Sequence, residues 1–151
     1  MIQRIQSVYL FLALVACVAC LCMPIASIES AVMGAWDTMY NLWMVDEKGQ
    51  KAFVVWPLFA ILLLTCPISL FTIFMYNNRK MQARMCVFNI FLLLGWYAVY
   101  AAYVLTLPKE GDTTTILLAA CFPLIAIVLL FMARRGILHD EALVRAADRI
   151  R

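Results

Sequence analysis

Four stretches of this chain, residues 7–27, 53–76, 85–107 and 115–133, contain no Asp, Glu, Lys, Arg or His. Each is close to or above the roughly 20 residues that an α-helix needs to cross about 30 Å of hydrocarbon. An unpaired backbone N–H or C=O in lipid costs several kcal/mol, so only helices and closed barrels cross a bilayer. A barrel would show alternating ten-residue segments, and these runs are continuous. Composition agrees: 66% of the 151 residues are apolar, whereas soluble domains average about 45–50%. The expected fold is an all-α membrane protein, one antiparallel bundle of four transmembrane helices, with lipid as its first partner.

The charges sit between and after the runs. Arg4 precedes the first, Arg79, Lys80 and Arg84 divide the second from the third, and Arg134, Arg135, Arg145, Arg149 and Arg151 follow the fourth. Nine of the twelve basic residues thus fall on one side, which basic-residue asymmetry assigns to the cytoplasm together with both termini. The other side keeps Lys48, Lys51 and Lys109 among six acidic residues. A net charge of +3, divided among separate segments, excludes a nucleic-acid footprint, which needs Lys and Arg on one face.

Residues 28–52 form the longer outer loop. Two apolar segments, 38–45 and 51–55, flank the turn-like Asp46-Glu-Lys-Gly49 and predict a small β-hairpin. It is expected against the outer membrane face, with Trp36, Trp43 and Trp56 at headgroup depth. Residues 134–151 form a cytoplasmic tail. Asp140 is a natural N-cap, Glu141 pairs with Arg145 one turn on, and Leu143, Ala146, Ala147 and Ile150 make one apolar stripe. The spacing predicts a separate C-terminal amphipathic helix on the lipid surface.

Met1-Ile-Gln-Arg4 before an apolar run resembles an export signal, but the run continues through Cys22 to Pro24, long enough to span. Cys17, Cys20 and Cys22 lack a second cluster and nearby His ligands, so they read as small packing residues and imply no metal or cofactor. His139 is the only histidine, and the runs hold no carboxylate. This argues against proton relays and intramembrane hydrolysis, which keep ionisable groups at membrane depth. No catalytic role is expected.

Pro67 and Pro123 stand at similar distances from Arg79 and Arg134, and each is expected to kink its helix by removing an N–H and crowding the carbonyl four residues earlier. Matched interruptions sometimes mark a transporter site, which gives the alternative of a carrier or receptor for a small apolar or lipid-like ligand. Pro57-Leu-Phe-Ala-Ile-Leu-Leu-Leu64 echoes Pro123-Leu-Ile-Ala-Ile-Val-Leu-Leu130. Hydropathy puts the first at the start of its span and the second in mid-membrane, so no repeat is inferred. Asn89 and the row Tyr97, Tyr100, Tyr103 offer polar tips to one neighbouring helix, and Gly95 offers close approach.

Two terminal motifs complete the pattern. Met1-Ile-Gln-Arg-Ile-Gln6 and Asp140-Glu-Ala-Leu-Val-Arg-Ala-Ala-Asp-Arg-Ile-Arg151, with four spans between, resemble a family of small four-span bacterial inner-membrane proteins of unknown function. The resemblance covers the whole chain and implies topology and location, with no activity. Gln3, Arg4, Gln6, Arg145, Arg149 and Arg151 are expected to form one cytoplasmic surface that docks a larger membrane complex or anionic headgroups; assembly into such a complex or into a homo-oligomer is the expected partnership. The leading functional expectation is an accessory or structural subunit, or an assembly factor, of a membrane complex.

Overall fold

Pro24 ends the first helix before its apolar run ends. The ring has no N–H and pushes Met23 out of the helical region, so α1 (Ile2–Cys22) gives way to strand β1 (Ala26–Glu29). The computed structural model describes residues 2–30, 35–75, 78–109 and 111–148. After β1 come β2 (Trp36–Met39), β3 (Met44–Val45), β4 (Lys51–Ala52), α2 (Trp56–Phe74) and α3 (Arg79–Thr106). Strand β5 (Thr113–Ile116), a 3-10 turn (Leu118–Cys121) and α4 (Phe122–Asp148) follow.

Among the described residues, all four α-helices are long and apolar enough to cross a membrane. They pack in the cyclic order α1, α2, α3, α4, with α4 closing back on α1. Two contacts at the end where α2 leads into α3 run in opposite order along the two helices and make them antiparallel: Asn89 donates to Ser69, and Gln82 donates to the Thr72 carbonyl at 3.1 Å. Large apolar side chains such as Phe11, Phe71, Phe91 and Phe131 stand on the outside, whereas the interior takes small residues from α1: Ala13, Ala16, Cys17 and Cys20. Small residues let helix backbones approach closely.

The five strands form one antiparallel sheet in the order β4-β3-β2-β1-β5. The expected hairpin is present as β3 and β4, with Met44 opposite Ala52 and Val45 opposite Lys51 around a turn in which Gly49 takes φ 74°. Two expectations are corrected here. Residues 38–45 do not make one strand, because the chain folds back where the Tyr40 N–H donates to the Trp43 carbonyl. The sheet also takes in the tail of the first apolar run and the head of the fourth: Ala26 pairs with Ile116 and Glu29 with Thr113. Hydropathy cannot separate an apolar strand from an apolar helix when neither run has room to show its period.

The separate C-terminal helix is a third correction. Helix α4 runs unbroken from Phe122 to Asp148, so Asp140 lies inside it and is no N-cap. Pro123 is a fourth. It is the second residue of α4, where a missing N–H breaks no helical bond, and the Ala119 carbonyl accepts from Phe122 in the 3-10 turn. Pro67 lies within α2, exposed on its outer side. Pro57 is likewise the second residue of its helix, so the two similar segments open α2 and α4 in the same way, and the mismatch that spoke against a repeat disappears.

Candidate functional site at the end opposite the sheet

Beneath the sheet, the polar groups are spent on joining elements. Asn41 is fully buried. Its Nδ2 donates to the Cys20 carbonyl at 2.6 Å and its Oδ1 accepts from Trp96 Nε1 at 3.1 Å. Its own carbonyl accepts from the Phe59 N–H at 3.2 Å. One residue in the turn between β2 and β3 thereby ties the end of α1 and the middle of α3 through its side chain and the start of α2 through its backbone carbonyl. The acceptor on Cys20 is one of the last carbonyls of α1, which have no helical partner.

The tyrosine row of α3 serves the same junction, and not one neighbouring helix as expected. Tyr97 donates to the Ala120 carbonyl at 2.7 Å, Tyr100 to Ile25 at 3.1 Å and Tyr103 to Val54 at 3.1 Å. Those carbonyls belong to the 3-10 turn, the link after α1 and the link before α2. Trp96 stacks on Tyr100 with centroids 5.1 Å apart and planes 7° from parallel. Of the three tryptophans expected at headgroup depth, Trp36 and Trp56 are exposed. Trp43 is half-buried under Lys51, whose Nζ lies 4.6 Å from the ring centroid. On the same sheet, burial, a hydrogen bond with Asp46 and repulsion from Asp46 and Asp112 hold the Asp37 carboxyl above the usual carboxylate range.

At the opposite end, Gln6 and Asp140 meet in the interior. Gln6 Nε2 donates to Asp140 Oδ2 at 2.6 Å, and Arg79 donates to the Asp140 carbonyl at 3.3 Å. Gly136 makes room for this contact, since a Cβ there would stand 3.2 Å from Gln6 Cγ. Gln6 is therefore a buried fastener between α1 and α4, which corrects its expected place on an exposed docking surface. The side chains of Gln3, Arg4 and Arg145, and all of Arg149 and Arg151, lie outside the described residues.

What this end does display is a groove between α3 and α4. A cavity of about 330 Å³ is lined by Lys80, Ala83, Arg84, Val87, Arg134, Leu138 and Glu141. It is continued by one of about 540 Å³ that shares Lys80, Arg84 and Glu141 and adds Arg79. Lys80 and Arg84 are one helical turn apart on α3; Arg134, Leu138 and Glu141 follow at steps of four and three along α4. Lys80 Nζ and Glu141 Oε1 stand 3.8 Å apart, a loose pair with Lys80 largely in solvent. Arg134 Nε is buried and, among the described residues, has no hydrogen-bond partner. In the sequence these cations serve only to orient the chain. Their helical spacing was the available signal, but nothing in it says that α3 and α4 face each other.

A third cavity of about 460 Å³, on the other side of α4, is lined by Tyr9, Phe131, Met132, Arg135, Gly136 and His139. Neither Pro67 nor Pro123 lines any of these three cavities. Among the described residues, no three His, Cys, Asp or Glu side chains come together as a metal site. Cys17 and Cys20 lie in the core, and Cys22 is exposed.

Four long apolar helices packed in a ring, carrying an antiparallel sheet at one end and a cationic groove at the other, define a small helical protein built to membrane-spanning dimensions. The chain belongs to the family described as Domain of unknown function (DUF4293), whose profile matches residues 2–150. Comparison with curated proteins gives no match.

Proposed function

We propose that the chain is a four-span bundle of the bacterial inner membrane, with both termini cytoplasmic and the sheet outside, acting as an accessory or structural subunit or assembly factor of a larger membrane complex. The observation that carries this reading is how the buried polar groups are used. Asn41, Gln82, Tyr97 and Tyr100 are engaged with backbone carbonyls of neighbouring segments, and Gln6 with Asp140. Such groups fix a rigid scaffold instead of lining a path. The outward apolar side chains suit lipid or partner helices, and the distribution of basic residues supports the orientation.

The alternative of a carrier with its ligand near Pro67 and Pro123 draws no support from their positions, one on the outer side of α2 and the other in the first turn of α4. Gentle extraction of the tagged chain at native expression level, followed by native sizing and mass spectrometry, tests the subunit reading. A stoichiometric larger assembly is expected. A lone bundle or a homo-oligomer overturns the reading.

A further inference from the structure

The groove between α3 and α4 combines three features that one kind of molecule would satisfy together. Its charged rim carries Lys80, Arg84 and Arg134 against Glu141, three positive groups to one negative. Its walls are apolar: Ala83 is buried, Val87 half-buried and Leu138 exposed. Arg134 Nε is shielded from solvent and, among the described residues, has no acceptor. Guanidinium binds phosphate best through two parallel N–H donors, so a buried donor without a partner is one that a phosphate oxygen would complete.

Depth points the same way. Helix α3 has 28 residues and is about 42 Å long at 1.5 Å per residue, beyond the roughly 30 Å of hydrocarbon. Its first turns, with Lys80 and Arg84, therefore reach the headgroup layer when its apolar part is in the membrane. Arg134 ends the apolar run of α4 at the same level, opposite Ala83 and Val87.

We propose that this groove holds one anionic phospholipid, with its phosphate on Arg134 and Arg84 and its first acyl methylenes against Ala83, Val87 and Leu138. The inference rests on the membrane reading above and on nothing about the larger complex. A net positive rim favours a headgroup without an ammonium. Glu141, which competes for Lys80, limits the affinity.

Native mass spectrometry of the full chain in detergent, titrated with phosphatidylglycerol or phosphatidylethanolamine, tests it. One phosphatidylglycerol should bind at least tenfold more tightly than phosphatidylethanolamine. Arg84→Gln with Arg134→Gln should abolish that preference, and Arg134→Lys, which keeps the charge and removes Nε, should weaken it severalfold. Glu141→Gln should strengthen it, and Arg135→Gln, on the other side of α4, should leave it unchanged. Equal binding of the two lipids by the wild type, or an unaltered preference in Arg134→Lys and in the double variant, overturns the site. Complete displacement by millimolar inorganic phosphate overturns the lipid assignment in favour of a soluble phosphate. In a parallel flotation, a chain that floats with both kinds of vesicle without preference refutes only the site, whereas one that floats with neither refutes the membrane reading itself.

Discussion

Replacing Asn41 with Leu keeps the side-chain volume roughly constant and removes two hydrogen bonds at once. The Cys20 carbonyl loses its donor at 2.6 Å and Trp96 Nε1 its acceptor at 3.1 Å, in a position that admits no water. A buried polar group left without a partner costs about 1–3 kcal/mol. Pairs inside membrane proteins fall toward the low end, because the unfolded chain in lipid also finds partners. Two such groups give an expected loss of about 2–4 kcal/mol, read from reversible unfolding of the chain in mixed micelles by circular dichroism. Trp96→Phe removes one orphan, so Asn41→Leu on that background should cost less than on the wild type. Asn41→Asp adds a second check: ionised, it sets a carboxylate against the Cys20 carbonyl, and protonated, it donates to it, so its stability should recover as the pH falls. A loss below about 0.5 kcal/mol, or strict additivity with Trp96→Phe, would refute the view that this side chain fastens sheet to helices.

Three further outcomes follow from the same geometry. The Asp37 carboxyl is raised above its ordinary value by burial and by Asp46 and Asp112, so the folded state holds that proton more tightly than the unfolded one. Its contribution is then complete below the unfolded value, about pH 4, and is lost as the pH rises through the folded value. Asp37→Asn should therefore be more stable than wild type at neutral pH and flatter in melts taken from pH 3 to 8. Gly136→Val places a branched side chain where even a Cβ stands 3.2 Å from Gln6 Cγ; overpacking of this kind costs about 1–3 kcal/mol, and the same unfolding assay should find the penalty smaller when Gln6 is already Ala. In a cysteine-free background, Lys48→Cys in the β3–β4 turn should react with an impermeant maleimide added to intact cells, and Lys80→Cys only after permeabilisation; the reverse pattern would invert the proposed topology.

Much of this architecture is legible in the chain itself. The four charge-free runs give four helices long and apolar enough to cross a membrane, and a helix satisfies the hydrogen bonds of its backbone within itself. The Asp46–Gly49 turn marks the hairpin, since Gly49 supplies the positive φ that the turn requires. The terminal motifs point to the family whose profile covers residues 2–150. What sequence could not decide is where an apolar run stops being helix. Ala26–Glu29 becomes a strand by pairing with Trp36–Met39 on one side and with Thr113–Ile116 on the other, and the second pairing joins segments some ninety residues apart and leaves no local trace. Asn41 reads as an ordinary loop residue until Cys20 and Trp96 are brought to it. Asp140 reads as a cap, but α4 continues through it and its carboxylate meets Gln6 from the other end of the chain. The cations of α3 and α4 form a groove only through helix order, which apolar surfaces of similar composition do not encode. Hydropathy is a property of each segment alone and so survives in the sequence. Pairing, burial of a polar group and the charge of a groove depend on which segments meet, and the tertiary structure alone decides them.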